Sequence, residues 1–132
     1  MHRRRLVDLV GIPYVEGGRL EHSGLDCLGL VLLGLQELGV RAEDPFAAAT
    51  LRWNHGIRDV EQLFPDEFRQ VSIDRPRLGE VVMFRSRTAP AHVMLVAEDL
   101  YVLNTDREKG SHLLRWADVR PHVVSMWRHA DL

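Results

Sequence analysis

The only cysteine in the chain, Cys27, lies where its thiol could act as a nucleophile. It follows Asp26, a residue type that caps helices by accepting hydrogen bonds from the first free amides. It opens an apolar run that ends at Gly39, a pattern typical of a helix buried at the centre of a domain. Since a helix N-terminus favours an anion, we expect a thiol pKa below the usual value of about 8.5. A lone cysteine in an apolar helix is also often a small buried hydrophobe, and that interpretation stays open.

A thiol nucleophile needs a base, which is usually a histidine that the fold brings close. Of the seven histidines, His92 is the best placed, because it opens an apolar strand-like run directly after a loop. A polar third residue would hold its ring in the productive tautomer. Asn104 is the natural candidate, since it ends the next predicted strand and antiparallel pairing brings strand start and strand end together. Asp106 and His112 in the following loop are the alternatives.

The elements that position these residues change in type along the chain. Residues 3–10 predict a short amphipathic helix, and the core helix extends from Cys27 to about Leu38. The side chains expected to point inward from the first helix are Leu6, Leu9 and Val10. Short β-branched and aromatic runs then predict an antiparallel meander at 80–85, 92–97, 101–104, 112–115 and 123–128. Helices followed by strands indicate an α+β fold, with a buried helix packed on a C-terminal antiparallel sheet.

Length and composition limit the function classes. The 132 residues suggest a single domain over 1–132, with an irregular insertion at about 41–77. The net charge of −2 gives no basic excess for nucleic-acid binding, and a single cysteine excludes an internal disulfide framework. No apolar run approaches the roughly 18 residues of a membrane span. The basic N-terminus lacks the apolar region and cleavage site of a signal peptide, so we expect synthesis in the cytoplasm.

Four motifs, in order along the chain, resemble those of the NlpC-type papain-like cell-wall peptidases. They are GIPY (11–14), GLDCLGLV (24–31), LGEVVMF (78–84) and HVMLV (92–96). A polar residue near the end of the following strand, here Asn104, completes the pattern, so the resemblance covers the chain from Gly11 to Asn104. It implies a papain-like α+β core in which Cys27 is the nucleophile, His92 the base and Asn104 the orienting residue.

The same resemblance implies a reaction and a set of residues that line its substrate. Tyr14 is expected near the thiol, where its hydroxyl helps to bind the oxyanion, and Asp26 is expected to line the site beside it. The implied reaction is hydrolysis of an amide bond involving a D-amino acid in the peptidoglycan stem peptide. The resemblance implies no cofactor and no metal.

Two further features are similar to the phage-tail and gene-transfer-agent branch of that family. Leu28 stands where the secreted enzymes have serine, and the closing segment of the chain from Trp116 ends in Trp127, Arg128 and His129. This similarity implies a tail-associated peptidase carried by a virion or prophage, with tail-tip proteins as partners.

Three other interpretations remain. A zinc site built from Cys27, His22 and His92 is compatible with the histidine content, but no CxxC, HxxxH or HExxH spacing supports it. A tail-tip subunit that keeps the fold for assembly or wall binding would have no catalytic activity. A papain-like amidase, transglutaminase or acyltransferase acting on another amide would use the same thiol chemistry.

Overall fold

The computed structural model describes residues 4–44, 66–87 and 92–132, and these residues form a helix packed on an antiparallel sheet. The helices are α1 (Cys27–Glu37) and α2 (Trp116–Val119), with short 3₁₀ turns at Leu6–Asp8, Glu98–Leu100 and Arg120–His122. The strands are β1 (Arg19–Leu20), β2 (Gly24–Leu25), β3 (Phe68–Val71), β4 (Val81–Phe84), β5 (His92–Val96), β6 (Tyr101–Asp106), β7 (Gly110–Arg115) and β8 (Val123–His129). The predicted α+β class is confirmed, and so is the position of the core helix.

The main sheet has six strands among the described residues, in the order β3-β8-β4-β5-β6-β7. Strands β4 to β7 form the predicted meander. The last strand does not extend it at the β7 edge, because β8 returns across the sheet and pairs with both β3 and β4. The return is made by α2 and the 3₁₀ turn Arg120–His122. The alternation of side chains along β8 predicts a strand, but it does not specify which neighbour the strand pairs with.

Two other predictions are corrected by the structure. The insertion predicted as irregular contains β3, which pairs with β8 from Phe68 opposite His129 to Val71 opposite Met126. Residues 45–65 of that insertion lie outside the described residues. Of the predicted N-terminal helix, residue 3 lies outside the described residues; within residues 4–10 only Leu6–Asp8 is helical, and Val10 is 48% exposed instead of pointing inward.

Both faces of the sheet are covered, which explains why its central strands are apolar at consecutive positions. One face packs against α1 through a large cluster that includes Leu30, Leu35, Met83, Leu95 and Leu103. The opposite face packs against α2 through a smaller cluster: Val82, Met94, Val96, Val102, Val119 and Met126. Each fully buried side chain of this kind contributes about 1.5–3 kcal/mol to folding. Helix α1 is therefore held firmly against the strands that carry the remaining candidate residues.

The first turn of α1 is also in close contact with the loop before it. A Cβ atom at Gly29 would collide with the backbone carbonyl oxygen of Gly18. Only glycine allows the loop to lie this close to the helix, next to the position of Cys27.

We expect Gly29→Ala to lower the free energy of unfolding by about 1–3 kcal/mol, the usual cost of overpacking. A decrease in the free energy of unfolding would be informative, because alanine in a helix is normally more favourable than glycine by about 1 kcal/mol. Urea denaturation followed by circular dichroism measures the effect. Gly34→Ala is the matched control, since its new Cβ would meet the end of the flexible Leu95 side chain and not backbone. A Gly29→Ala protein as stable as the wild type would show that the contact with Gly18 is not tight.

Candidate active site

Asp26 organises the start of α1. Its side chain accepts hydrogen bonds from the backbone N–H of Gly29 (2.8 Å) and of Gly17 (3.1 Å). It also pairs with Arg19 Nη1 at 2.7 Å, and Arg19 in turn donates to Asp44 at 2.7 Å. The predicted N-cap is therefore present, and it ties the preceding loop to the helix.

The same contacts correct the expectation that Asp26 lines the substrate site. The residue is only 4% exposed, and both of its carboxylate oxygens are taken up by backbone amides and a guanidinium. Its role is structural and electrostatic, because it supplies a buried negative charge next to Cys27.

The Cys27 thiol lies at the first position of α1 and is 3% exposed. Burial, together with the charge of Asp26, raises its pKa to about 12. Hydrogen bonds from the backbone N–H groups of Val93 and Leu28 favour the thiolate, but they are outweighed. The expected low pKa is therefore wrong for this state of the protein, in which desolvation outweighs the helix N-terminus and the thiol is neutral near pH 7.

The contact with Val93 shows where the helix meets the sheet. The ladder between β5 and β6 pairs Leu95 with Leu103 and Val96 with Val102. The β5 residues before Leu95 are not part of this ladder. The N–H of Val93 lies beyond this ladder and is close enough to the Cys27 sulfur to lower the pKa of the thiol. The residue directly after His92 thus touches the thiol, at the point where β5 and β6 separate.

A row of three polar side chains crosses β5, β6 and β7. His92 Nε2 lies 2.5 Å from Asn104 Oδ1, and Asn104 Nδ2 lies 3.3 Å from His112 Nε2. Asn104 and His112 face each other directly across the β6–β7 ladder. The other nitrogen of His112, Nδ1, lies 2.8 Å from the carbonyl oxygen of Gly110. Asp106 is farther away, with Oδ2 3.8 Å from His112 Nε2.

The contacts in this row distinguish among the three candidates for the residue that orients His92. Asn104 is the one in direct contact with His92, as predicted. His112 contacts Asn104, and Asp106 approaches His112 from the end of β6. Asp106 and His112 therefore extend the row beyond Asn104 and do not replace it.

The surroundings of His92 keep its ring neutral near pH 7. Burial lowers its pKa below the ordinary value of 6.5, while the hydrogen bond with Asn104 and the charge of Asp106 oppose this shift. A neutral imidazole has one nitrogen that can accept a proton. His92 can thus act as a base at neutral pH.

Tyr14 is positioned by an extended segment that bridges two parts of the fold. Gly11 and Ile12 pair with Ser111 of β7 through two backbone bonds of 2.8 Å each. The next residues pair with β2, since Leu25 N–H donates to Pro13 (2.9 Å) and Val15 N–H donates to Leu25 (3.3 Å). The segment therefore runs from the β7 edge to the residue immediately before Asp26.

Tyr14 lies close enough to Cys27 for a charge on the sulfur to raise the pKa of the phenol. Burial is the larger cause of that shift, and both effects keep the hydroxyl protonated as a hydrogen-bond donor. The structure thus places Tyr14 within electrostatic range of the thiol.

Two contributors to this region had no signal in the sequence. The Arg107 guanidinium lies 5.2 Å from the centre of the Tyr14 ring and pairs with Glu16 at 3.4 Å. The Ser111 hydroxyl holds the segment before Tyr14, accepting from Ile12 N–H (2.8 Å) and donating to the Leu9 carbonyl (2.6 Å). Both contacts depend on hairpin register and loop docking, which residue types alone do not specify.

No group of three or more metal-ligating side chains could hold an ion among residues 4–44, 66–87 and 92–132. His22, one ligand of the zinc alternative, is exposed in the turn between β1 and β2. Within the same ranges, the structure has no helix long and apolar enough to cross a bilayer.

A helix that begins with a cysteine, packed on an antiparallel sheet that carries a histidine–asparagine pair, is the α+β arrangement of the papain-like class. The sequence matches the NlpC/P60 family over residues 11–129, and the chain belongs to this family. No curated protein sequence matches the chain significantly.

Solved structures share the fold at low sequence identity. The NlpC/p60 domain of the peptidoglycan hydrolase SagA has a TM-score of 0.56 at 17% identity, over 92% of this chain and 90% of that one. A Staphylococcus aureus NLP/P60-family protein, described as similar to lipoprotein, has a TM-score of 0.58 at 20% identity, covering 94% of this chain and 38% of that one. NlpC2 from Trichomonas vaginalis has a TM-score of 0.62 at 16% identity, covering 94% and 43%. The chain thus spans about two fifths of the last two proteins, and the likeness concerns the fold.

We expect iodoacetamide to alkylate Cys27 slowly at pH 7 and faster only well above pH 8, since the thiol pKa is raised to about 12. Asp26→Asn removes the neighbouring negative charge, so the thiol pKa should fall and alkylation at pH 8 should become several-fold faster. Mass spectrometry of the modified protein across pH 6–10 measures both rates.

Asp8→Asn is the control for this experiment, because Asp8 is exposed on the first 3₁₀ turn. Rapid alkylation of the folded wild-type protein below pH 7 would contradict the raised pKa. An Asp26→Asn rate equal to that of the wild type would show that the Asp26 charge does not act on the thiol.

Proposed function

We propose that this protein is a cysteine peptidase that hydrolyses amide bonds in peptidoglycan stem peptides. The observation that carries the proposal is the 2.5 Å contact between His92 Nε2 and Asn104 Oδ1. Because an amide oxygen only accepts, the neutral His92 ring donates through Nε2, and Nδ1 is left to take a proton. Cys27, the proposed nucleophile, lies against the residue that follows His92.

The proposed reaction begins from a neutral thiol and a neutral imidazole. His92 Nδ1 takes the thiol proton as the Cys27 sulfur bonds to the carbonyl carbon, and the carbonyl electron pair moves to oxygen. Attack and proton transfer are coupled, because a thiol with a pKa near 12 does not form a stable thiolate beforehand. The position of Cys27 at a helix N-terminus would, by itself, favour a thiolate–imidazolium pair formed before the attack. The proposed reaction has no such pair in its starting state.

Two donors are proposed for the oxyanion. The backbone N–H of Cys27 stands at the first position of α1, where helical amides are free of helical partners. The Tyr14 hydroxyl is the second, and its raised pKa keeps it protonated. Removing one such donor typically costs about 2.7–4 kcal/mol of transition-state stabilisation.

The remaining steps return the protein to its starting state. The His92 imidazolium protonates the leaving amine as the carbon–nitrogen bond breaks, which leaves a thioester on Cys27. Water, deprotonated by His92, then attacks the thioester carbon. As the carbon–sulfur bond breaks, His92 returns that proton to the Cys27 sulfur, and the acid is released. Asn104 holds the ring through both half-reactions, since its oxygen accepts from Nε2 whether the ring is neutral or charged.

The substrate class and the setting of the protein are proposed from its family. SagA, a neighbour in fold, is described as a peptidoglycan hydrolase, and a wall peptide is the corresponding substrate here. Leu28 and the closing strand, with Trp127 and Arg128, support a tail-associated enzyme made in the cytoplasm and carried by a virion or prophage. Detection of the protein in purified tail particles tests that setting, and its absence from them contradicts it.

One observation favours a second candidate, a wall-binding module without hydrolytic activity. The thiol is 3% exposed and its pKa is raised, as for a structural cysteine. Such a module would bind muropeptides and release no product.

We expect the wild-type protein to cleave purified muropeptides and Cys27→Ala to show no turnover, with the fold intact because the change is small and buried. Liquid chromatography with mass spectrometry identifies the products, and circular dichroism checks the fold. Ser23→Ala, in the exposed β1–β2 turn, is the control for effects of mutagenesis and purification, and it should retain full activity. Hydrolysis that persists in Cys27→Ala would overturn the assignment, whereas binding without product in the wild type would support the wall-binding module.

We expect Asn104→Ala to lower kcat about 100-fold, because His92 loses the group that orients it as a base. The acid limb of the pH–rate profile, which lies below pH 6.5 in the wild type, should also move to lower pH. The shift is to lower pH because the hydrogen bond with Asn104 raises the pKa of His92, and this bond is lost in the variant. Measuring kcat/KM from pH 4 to 9 tests both effects, and an unchanged kcat would exclude Asn104 as the orienting residue.

A further inference from the structure

His112 lies at the far end of the polar row, where the proposed mechanism assigns it no task. Its side chain is partly buried, with 18% of it exposed, and each ring nitrogen has a polar neighbour. The nearest such neighbour is a backbone carbonyl, which can accept a hydrogen bond and can never donate one.

The hydrogen-bond roles along the row follow from that carbonyl. The Gly110 oxygen, at 2.8 Å, requires the proton of a neutral His112 to be on Nδ1, so Nε2 carries the lone pair. The Asn104 group that faces Nε2 at 3.3 Å must then be the NH₂ donor. The Asn104 oxygen is thereby directed at His92, and His92 Nε2 must donate to it across 2.5 Å.

We propose that His112 is a positioning residue that selects the tautomer of His92 through the orientation of the Asn104 amide. An asparagine amide can rotate by half a turn and exchange its oxygen and nitrogen with little change in shape. If Asn104 turned over, its NH₂ group would face His92 Nε2, which would then have to accept. The His92 proton would move to Nδ1, and the nitrogen assigned to the thiol proton would no longer be a base.

A positively charged His112 ring would also disturb the orientation of the Asn104 amide. A charged ring donates through both nitrogens, so Nε2–H would oppose the NH₂ group of Asn104 and favour the rotated amide. Among the residues that the structure describes, the ionisable neighbours of this ring include Asp106, whose Oδ2 lies 3.8 Å from Nε2, and His92 at the other end of the row.

The inference rests on the proposed function for its effect on rate, but the tautomer can be measured without any activity. Long-range proton–nitrogen NMR of ¹⁵N-labelled protein distinguishes a ring protonated on Nδ1 from one protonated on Nε2. At neutral pH we expect His92 to be protonated on Nε2 in the wild type. In His112→Ala it should become a mixture of tautomers, and His112→Gln should restore the wild-type state, since its amide can donate to Gly110 and accept from Asn104.

Kinetics with muropeptides supplies the second measurement. We expect His112→Ala to lower kcat about tenfold with little change in KM, and His112→Gln to recover most of that loss. His22→Ala, which removes an exposed histidine from the β1–β2 turn, is the matched control and should match the wild type in both measurements.

Different results would overturn the role of His112 and the proposed hydrolysis of muropeptides. An unchanged His92 tautomer in His112→Ala would overturn the role of His112, whatever the activity. If His112→Ala does not fold, the same NMR measurement on His112→Gln decides, because His92 protonated on Nδ1 in that variant would contradict the proposal. A tautomer that responds to His112 in a protein that cleaves no muropeptide would support the role of His112 and overturn the proposed hydrolysis.

Discussion

The buried carboxylate of Asp26 is the interaction on which the site depends. It caps α1 through Gly29, fixes the loop through Gly17 and neutralises Arg19. Such a charge is tolerated inside a protein only when all of its partners are present, and removing one partner of a buried ion pair typically costs about 3–5 kcal/mol. The first turn of the helix, and with it Cys27, is therefore held in one place relative to the loop. The absence of a side chain at Gly29 lets that loop lie directly on the helix.

The same carboxylate has an electrostatic effect on the thiol. A helix N-terminus usually favours a thiolate, and two backbone amides donate to this sulfur. Burial and the Asp26 charge are larger effects and act in the opposite direction, so the thiol stays neutral. Burial also keeps the imidazole of His92 neutral. The resting thiol and imidazole therefore do not form an ion pair with each other, and separation of charge between them would be confined to the reaction itself.

The sheet supplies the other half of the site through its register. The β6–β7 ladder places His112 opposite Asn104, and the early end of the β5–β6 ladder leaves the Val93 N–H to meet the thiol. The backbone bonds between Gly11 and Ser111 bring the segment that carries Tyr14 to the same end of the sheet. A shift of β7 by one residue would turn His112 to the other face and break the polar row, so the hairpin turn before Gly110 matters as much as the side chains.

Residue types and their local spacing are sufficient to predict the local features of this protein. The cap at Asp26, the helix from Cys27 and the strands from β4 to β8 follow from residue types and periodicity, which act over a few neighbouring residues. The ordered motifs also led to Cys27, His92, Asn104 and Tyr14 as a set. Tertiary structure alone decided the return of β8, the pairing of β3, the burial of Asp26 and the raised pKa of Cys27. These depend on which distant segments meet and on how much water they exclude, and neither quantity is encoded in a local pattern.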